Sequence, residues 1–75
     1  MKQISADALT DLKLLGKKMK EWRQTETPWR QEDIAEKYVG CSTKTVSRME
    51  RGVTFNLDVF MFYVMNGFKW EEQDG

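Results

Sequence analysis

The side chains best suited to chemistry in this sequence are crowded between Ser42 and Arg51. Ser42 has the hydroxyl of a helix N-cap, accepting a backbone N–H and fixing where the helix starts. From that start Thr43, Lys44, Ser47 and Arg48 share the outer face, with Val46 and Met49 beneath. Two cations and two hydroxyls on one face make a row of hydrogen-bonding groups. A DNA major groove admits one helix and offers them guanine N7 and O6 for Lys or Arg, and the thymine methyl for Thr. Other chemistry has little to work with. The chain has no histidine and a single cysteine, which removes the commonest general base, any zinc site of ordinary ligand count and any intrachain disulfide. Glu32 and Asp33 are neighbours in sequence, so on a helix they point to different faces and do not form a catalytic pair. The expectation is a protein that is not an enzyme and needs no cofactor and no metal.

Helices must position that face. Leu12, Leu15, Met19 and Trp22 recur at helical spacing, with Lys13, Lys17, Lys18 and Lys20 off the apolar stripe. This first helix starts either at a Ser5 cap, with Asp7 in its first turn, or at Thr10, leaving residues 1–9 as an arm. It stops before Pro28. Thr27-Pro28 is itself a start signal, and the spacing predicts a second helix to about Tyr38, with Ile34, Ala35 and Tyr38 inward and Gly40 as breaker. The third helix runs from Ser42 to Arg51 and ends at Gly52. Asn56 caps a fourth, Leu57 to about Asn66, closed by Gly67. Residues 69–75 read as an acidic tail, with room for a fifth turn around Trp70. No segment alternates with strand period for long enough to count. The expected fold class is therefore all-α, four to five short helices in a single domain over residues 1–75. No apolar run approaches the ~20 residues of a membrane span, and no secretory h-region opens the chain. With one unpaired thiol, that points to a cytoplasmic protein.

The charges sum to zero, 12 basic against 12 acidic, which at first discourages a nucleic-acid partner. They are unevenly placed. Residues 13–51 carry ten basic and six acidic side chains, a net +4, whereas residues 52–75 set Lys69 against Asp58, Glu71, Glu72 and Asp74, a net −3. A partner meets the local field, and the local field of the middle segment is positive.

The run Gln31-Glu-Asp-Ile-Ala-Glu-Lys-Tyr-Val-Gly-Cys-Ser-Thr-Lys-Thr-Val-Ser-Arg-Met-Glu-Arg-Gly52 resembles the helix-turn-helix of the Cro and phage-repressor (Xre-type) family of transcriptional regulators. Its most specific part is Ser47-Arg-Met-Glu-Arg-Gly52 combined with the upstream Gln-x-x-Ile-Ala. Leu15 to Arg23 looks like the family's first helix and the segment from Leu57 like its fourth, so the resemblance covers about residues 12–68. Two single-residue insertions depart from the family pattern, one between Arg23 and Gln31 and one at the turn, where Val39 precedes Gly40. Arg30 also stands where a serine cap is common, and the loop before Leu57 is short.

The resemblance implies a lambda-repressor-like domain with its helix-turn-helix at about 28–51, and it implies roles. Lys44 and Arg48 are the expected base readers, with Thr43 and Ser47 as shorter contacts. Gln31, Thr45, Arg51 and Lys37 are expected at phosphates. Arg23 and Glu50 match positions that form a partly buried ion pair, and Cys41 a position usually filled by valine. The implied partner is double-stranded DNA, as an operator with an inverted repeat, read by a prokaryotic or phage-encoded repressor. The fourth helix is apolar on two faces. Leu57, Phe60, Met61 and Val64 match the family's core face. Val59, Phe62 and Tyr63 lie opposite, where a homodimer contact, with Phe68 or Trp70 beside it, is one reading and an enlarged core the other. An alternative function is a protein-interaction module on the same scaffold, with little DNA affinity; the neutral total charge favours it.

Overall fold

The computed structural model describes residues 6–70, and these form four helices with no strand among them. Helix α1 spans Ala6–Glu26. It thus takes the earlier of its two possible starts; the Ser5 cap lies outside the described residues, as does the tail beyond Trp70. Its stripe of half-buried Leu12, Leu15 and Trp22 and buried Met19 continues at Arg23, which is also buried. Residues 68–70 are not helical, and the rest of the fifth turn expected around Trp70 lies outside the described residues.

The second helix starts later than Thr27-Pro28 predicts. Thr27 is instead bound to the end of α1: its hydroxyl donates to the Arg23 carbonyl at 2.7 Å and accepts the Trp29 N–H at 3.2 Å. The start is marked by Asp33, whose carboxylate reaches back to accept the Arg30 N–H at 3.0 Å. Residues 31–32 are α-helical and form the start of α2, which continues over Asp33–Val39 wound as a π-helix. At its end the Gly40 N–H reaches back five residues to the Ala35 carbonyl, at 2.7 Å. A π-turn holds more residues than an α-turn, and within this winding Ile34 and Ala35 remain fully buried. It also swings Tyr38 off the inner face. Tyr38 is half exposed and stacks on Phe62 and Trp29, with ring centroids 5.2 and 5.0 Å away.

Helix α3, Thr43–Arg51, begins where Ser42 accepts the Thr45 N–H, and ends at Gly52 (φ 75°), whose N–H bonds to the Arg48 and Met49 carbonyls. Helix α4, Leu57–Met65, is capped by Asn56, which accepts the Val59 N–H at 3.0 Å. The core is Met19, Ile34, Ala35, Val46, Met49, Val59, Tyr63 and Phe68, with Trp22, Trp29 and Cys41 packed partly against it.

Helix α4 is turned about half a revolution from the expected orientation. Val59 and Tyr63, predicted for a dimer contact, are fully buried, and Phe62 packs on Trp29 at a centroid distance of 5.5 Å. Leu57, Met61 and Val64, predicted for the core, are exposed. Tyr63 accounts for the choice. Its ring packs on Trp22 and Phe68 while its hydroxyl donates to Glu50. An aromatic with a polar tip is well buried only where that tip finds a partner.

Helices α1 and α3 cross at Gly16. A Cβ placed there would lie 2.5 Å from the Met49 carbonyl oxygen and 2.6 Å from that of Glu50. Both neighbours are backbone, so neither can rotate away. Gly16→Ala is expected to lower the unfolding free energy by about 1–3 kcal/mol, the cost of overpacking a tight contact. Urea denaturation followed by circular dichroism measures it, and an unchanged midpoint would contradict so close a crossing.

Candidate nucleic-acid interface

The surface of α3 is held in place from behind by one carboxylate. Glu50 is buried and accepts from the Arg23 Nε at 2.7 Å and Nη2 at 3.1 Å, from the Gln31 amide at 2.8 Å and from the Tyr63 hydroxyl at 2.5 Å. Arg23 also donates through Nη1 to the Trp29 carbonyl at 3.2 Å. Among the described residues no buried side-chain nitrogen or oxygen lacks a partner. The bond to Glu50 raises the pKa of Arg23 against the opposing effect of burial. Burial first, and then the bond to Glu50, push the Tyr63 hydroxyl far above its ordinary value. The cluster thus joins one carboxylate to one guanidinium and two neutral donors.

With Val46, Met49 and Glu50 facing inward, the opposite side of α3 faces solvent. Lys44, Arg48 and Arg51 are exposed along it, and Thr43 and Ser47 are half-buried at its edge. None of the three cations is in an ion pair among the described residues, where the only such pairs are Arg23–Glu50 and Lys37–Asp33. Unpaired cations on a rigid helix are free to meet an external anion.

The remaining predicted residues are divided. Gln31 is half-buried with its amide N–H bound to Glu50, so its side chain supports α3 from α2. Thr45 is half-buried, and its hydroxyl shares a 3.0 Å hydrogen bond with that of Ser42 at the start of α3. Lys37 lies 3.6 Å from Asp33 one turn earlier on α2, with its ammonium largely exposed. The geometry joins Thr43, Lys44, Ser47, Arg48 and Arg51 on one helix and leaves Lys37 on another, beside a carboxylate. Cys41 is half-buried against the core, and burial raises its thiol pKa.

One exposed cation passed over by sequence reasoning lies next to the end of α3. Lys13 is exposed, and its backbone lies against the end of α3: a Cβ at Gly52 would come within 2.4 Å of the Lys13 Cα. That places a lysine of α1 beside the Arg51 end of the row. The available signal was Gly16 three residues on, but nothing in the spacing marks Gly16 as the crossing point. Among the described residues there is no group of three His, Cys, Asp or Glu side chains able to hold a metal, and no helix is long and apolar enough to cross a membrane.

Comparison with protein-family models, curated proteins and solved structures gave no match. The functional reading therefore rests on the residues and their geometry.

Two predictions concern the support of α3. Arg23→Ala leaves Glu50 buried without its cation and is expected to cost about 3–5 kcal/mol. Tyr63→Phe removes one hydrogen bond to the carboxylate and is expected to cost about 1.5–3 kcal/mol. Equal midpoints for parent and Arg23→Ala in urea would contradict the support assigned to the cluster. Asp33 provides a pH test. Its bond from the Arg30 N–H, then the nearby Lys37, hold its pKa below the ordinary 3.8. A lowered folded value means a contribution present above pH 3.8 and lost as pH falls through the folded pKa. The stability gap between the parent and Asp33→Ala should therefore be constant near neutrality and narrow below that pH. A gap that stays the same down to pH 2 would exclude an ionised cap.

Proposed function

We propose that this protein is a sequence-specific DNA-binding transcriptional regulator, most simply a repressor, that inserts α3 into the major groove. The observation carrying this reading is the row of unpaired cations Lys44, Arg48 and Arg51 on the solvent face of a helix anchored from behind by Glu50. The resemblance to the Cro and phage-repressor helix-turn-helix supports the same assignment. Lys44 and Arg48, in the middle of the face, read base edges, with Thr43 and Ser47 as shorter contacts. Arg51 and Lys13, together at one end, bind phosphate on that flank. Thr45 and the start of α2 at Gln31 lie toward the other flank. Lys37 contributes less, because Asp33 already neutralises part of its charge.

A second reading, an interaction module with little DNA affinity, has support in the exposed apolar side chains of α4. Gel-shift on random duplex at low salt, where phosphate attraction is greatest, separates the two. Retention followed by selection of a preferred sequence supports the regulator; no retention even at low salt sinks it. On the selected site Arg48→Ala should cost about 1–3 kcal/mol and relax the preference, while Arg51→Ala weakens all sequences alike. Equal losses on selected and random DNA for Arg48→Ala would remove it from the base readers.

A further inference from the structure

The chain after α4 turns back over α1. Gly67 takes a left-handed φ of 116°, and a Cβ there would have the Trp22 ring as its nearest neighbour, at 3.9 Å. The turn brings buried Phe68 edge-on to Trp22, with ring centroids 6.2 Å apart. Between α1 and this turn lies an open groove of about 420 Å³, within the size range of small-molecule sites. Trp22 and Phe68 form its apolar part, and Lys18, Glu21, Thr25 and Lys69 supply its polar groups.

Those polar groups do not neutralise one another. Lys18 and Glu21 are three residues apart on α1, and Lys69 comes from the opposite wall. Among the described residues none of the three is in an ion pair. Thr25 donates its hydroxyl proton to the Glu21 carbonyl at 2.9 Å, so toward the groove its oxygen acts as an acceptor.

We infer that this groove binds a small aromatic carboxylate. The ring of the ligand packs on the open part of half-buried Trp22, in an offset or edge-to-face contact. Its carboxylate lies between the two ammonium groups, Lys18 half-buried and Lys69 exposed. Charge selects the anion. Two lysines against one glutamate leave a net +1, which one carboxylate matches, whereas a phosphate dianion meets added repulsion from Glu21. The acceptor on Thr25 favours a ring that carries an N–H, which makes indole-3-acetate the fitting probe. An open groove with two flexible lysines binds weakly. For a ligand of about a dozen non-hydrogen atoms the dissociation constant should be on the order of 1 mM.

Titration of the full chain, labelled with nitrogen-15, tests the site by two-dimensional NMR in low salt. Indole-3-acetate should shift the Trp22 indole N–H and the amides of Gly67, Phe68 and Lys69 along one saturable curve. Indole-3-acetamide has the same shape without the charge and should bind about tenfold more weakly. Lys18→Gln and Lys69→Gln, both outside the core, should keep the parental helical spectrum and each weaken the acid about three- to fivefold. No approach to saturation at about ten times the expected constant overturns the proposal. So do equal affinities for the acid and the amide, which reduce the groove to an apolar surface, and shifts centred on Trp29. A Lys18→Gln/Lys69→Gln chain that binds the acid like the parent does the same. The site stands apart from the regulator reading, since no residue of α3 lines it and no DNA enters the test.

Discussion

The carboxylate of Glu50 ties the four helices together. It sits on α3 and takes hydrogen bonds from Arg23 on α1, from Gln31 at the start of α2 and from Tyr63 on α4. A buried anion is tolerated only when its lone pairs are filled and its charge is met. Each of the other helices therefore has to arrive at one point, and their relative placement follows from this requirement as much as from apolar contact. In a chain with a small core and no disulfide, a polar cluster of this kind supplies direction where apolar packing supplies mostly cohesion.

The rotation of α4 shows how the cluster overrides a pattern. Its sequence, Leu57 to Met65, is apolar on nearly every face, so periodicity alone leaves its orientation undetermined. Turning Leu57, Met61 and Val64 inward would satisfy the hydrophobic effect about as well as turning Val59 and Tyr63 inward. The two orientations differ in the Tyr63 hydroxyl, which finds Glu50 in one of them. A single oxygen thus decides which half of an apolar helix is core and which half faces solvent.

Much of the architecture was legible in the sequence. The end of α1 before Pro28, the Ser42 and Asn56 caps and the stop at Gly52 all follow from local chemistry, and each is found within a residue or two of its expected place. What could not be read depends on contacts between distant residues. Thr27 had the type of a cap for α2 but is occupied by the Arg23 carbonyl, and Asp33 takes over the start of that helix. Tyr38 follows helical spacing inward, but the π-winding of α2 carries it out. Lys13 joins the end of α3 only because Gly16 lets two backbones touch. On the candidate surface the outward face of α3 was readable from one helix alone. The neighbouring contribution from α1 and the support from Gln31 required the tertiary structure.

Helix α3 is held very unequally along its length. Its second half contains the close crossing at Gly16, the saturated Glu50 and the seat of Gly52 against Lys13. Its first turn, Thr43 to Thr45, is fixed by the Ser42 cap and by Val46, which follows it into the core. Lys44 stands near the capped end and Arg51 beside the crossing, so the exposed cations span both kinds of support. One nine-residue helix is thereby fixed by local capping at its start and by distant backbone contact at its end.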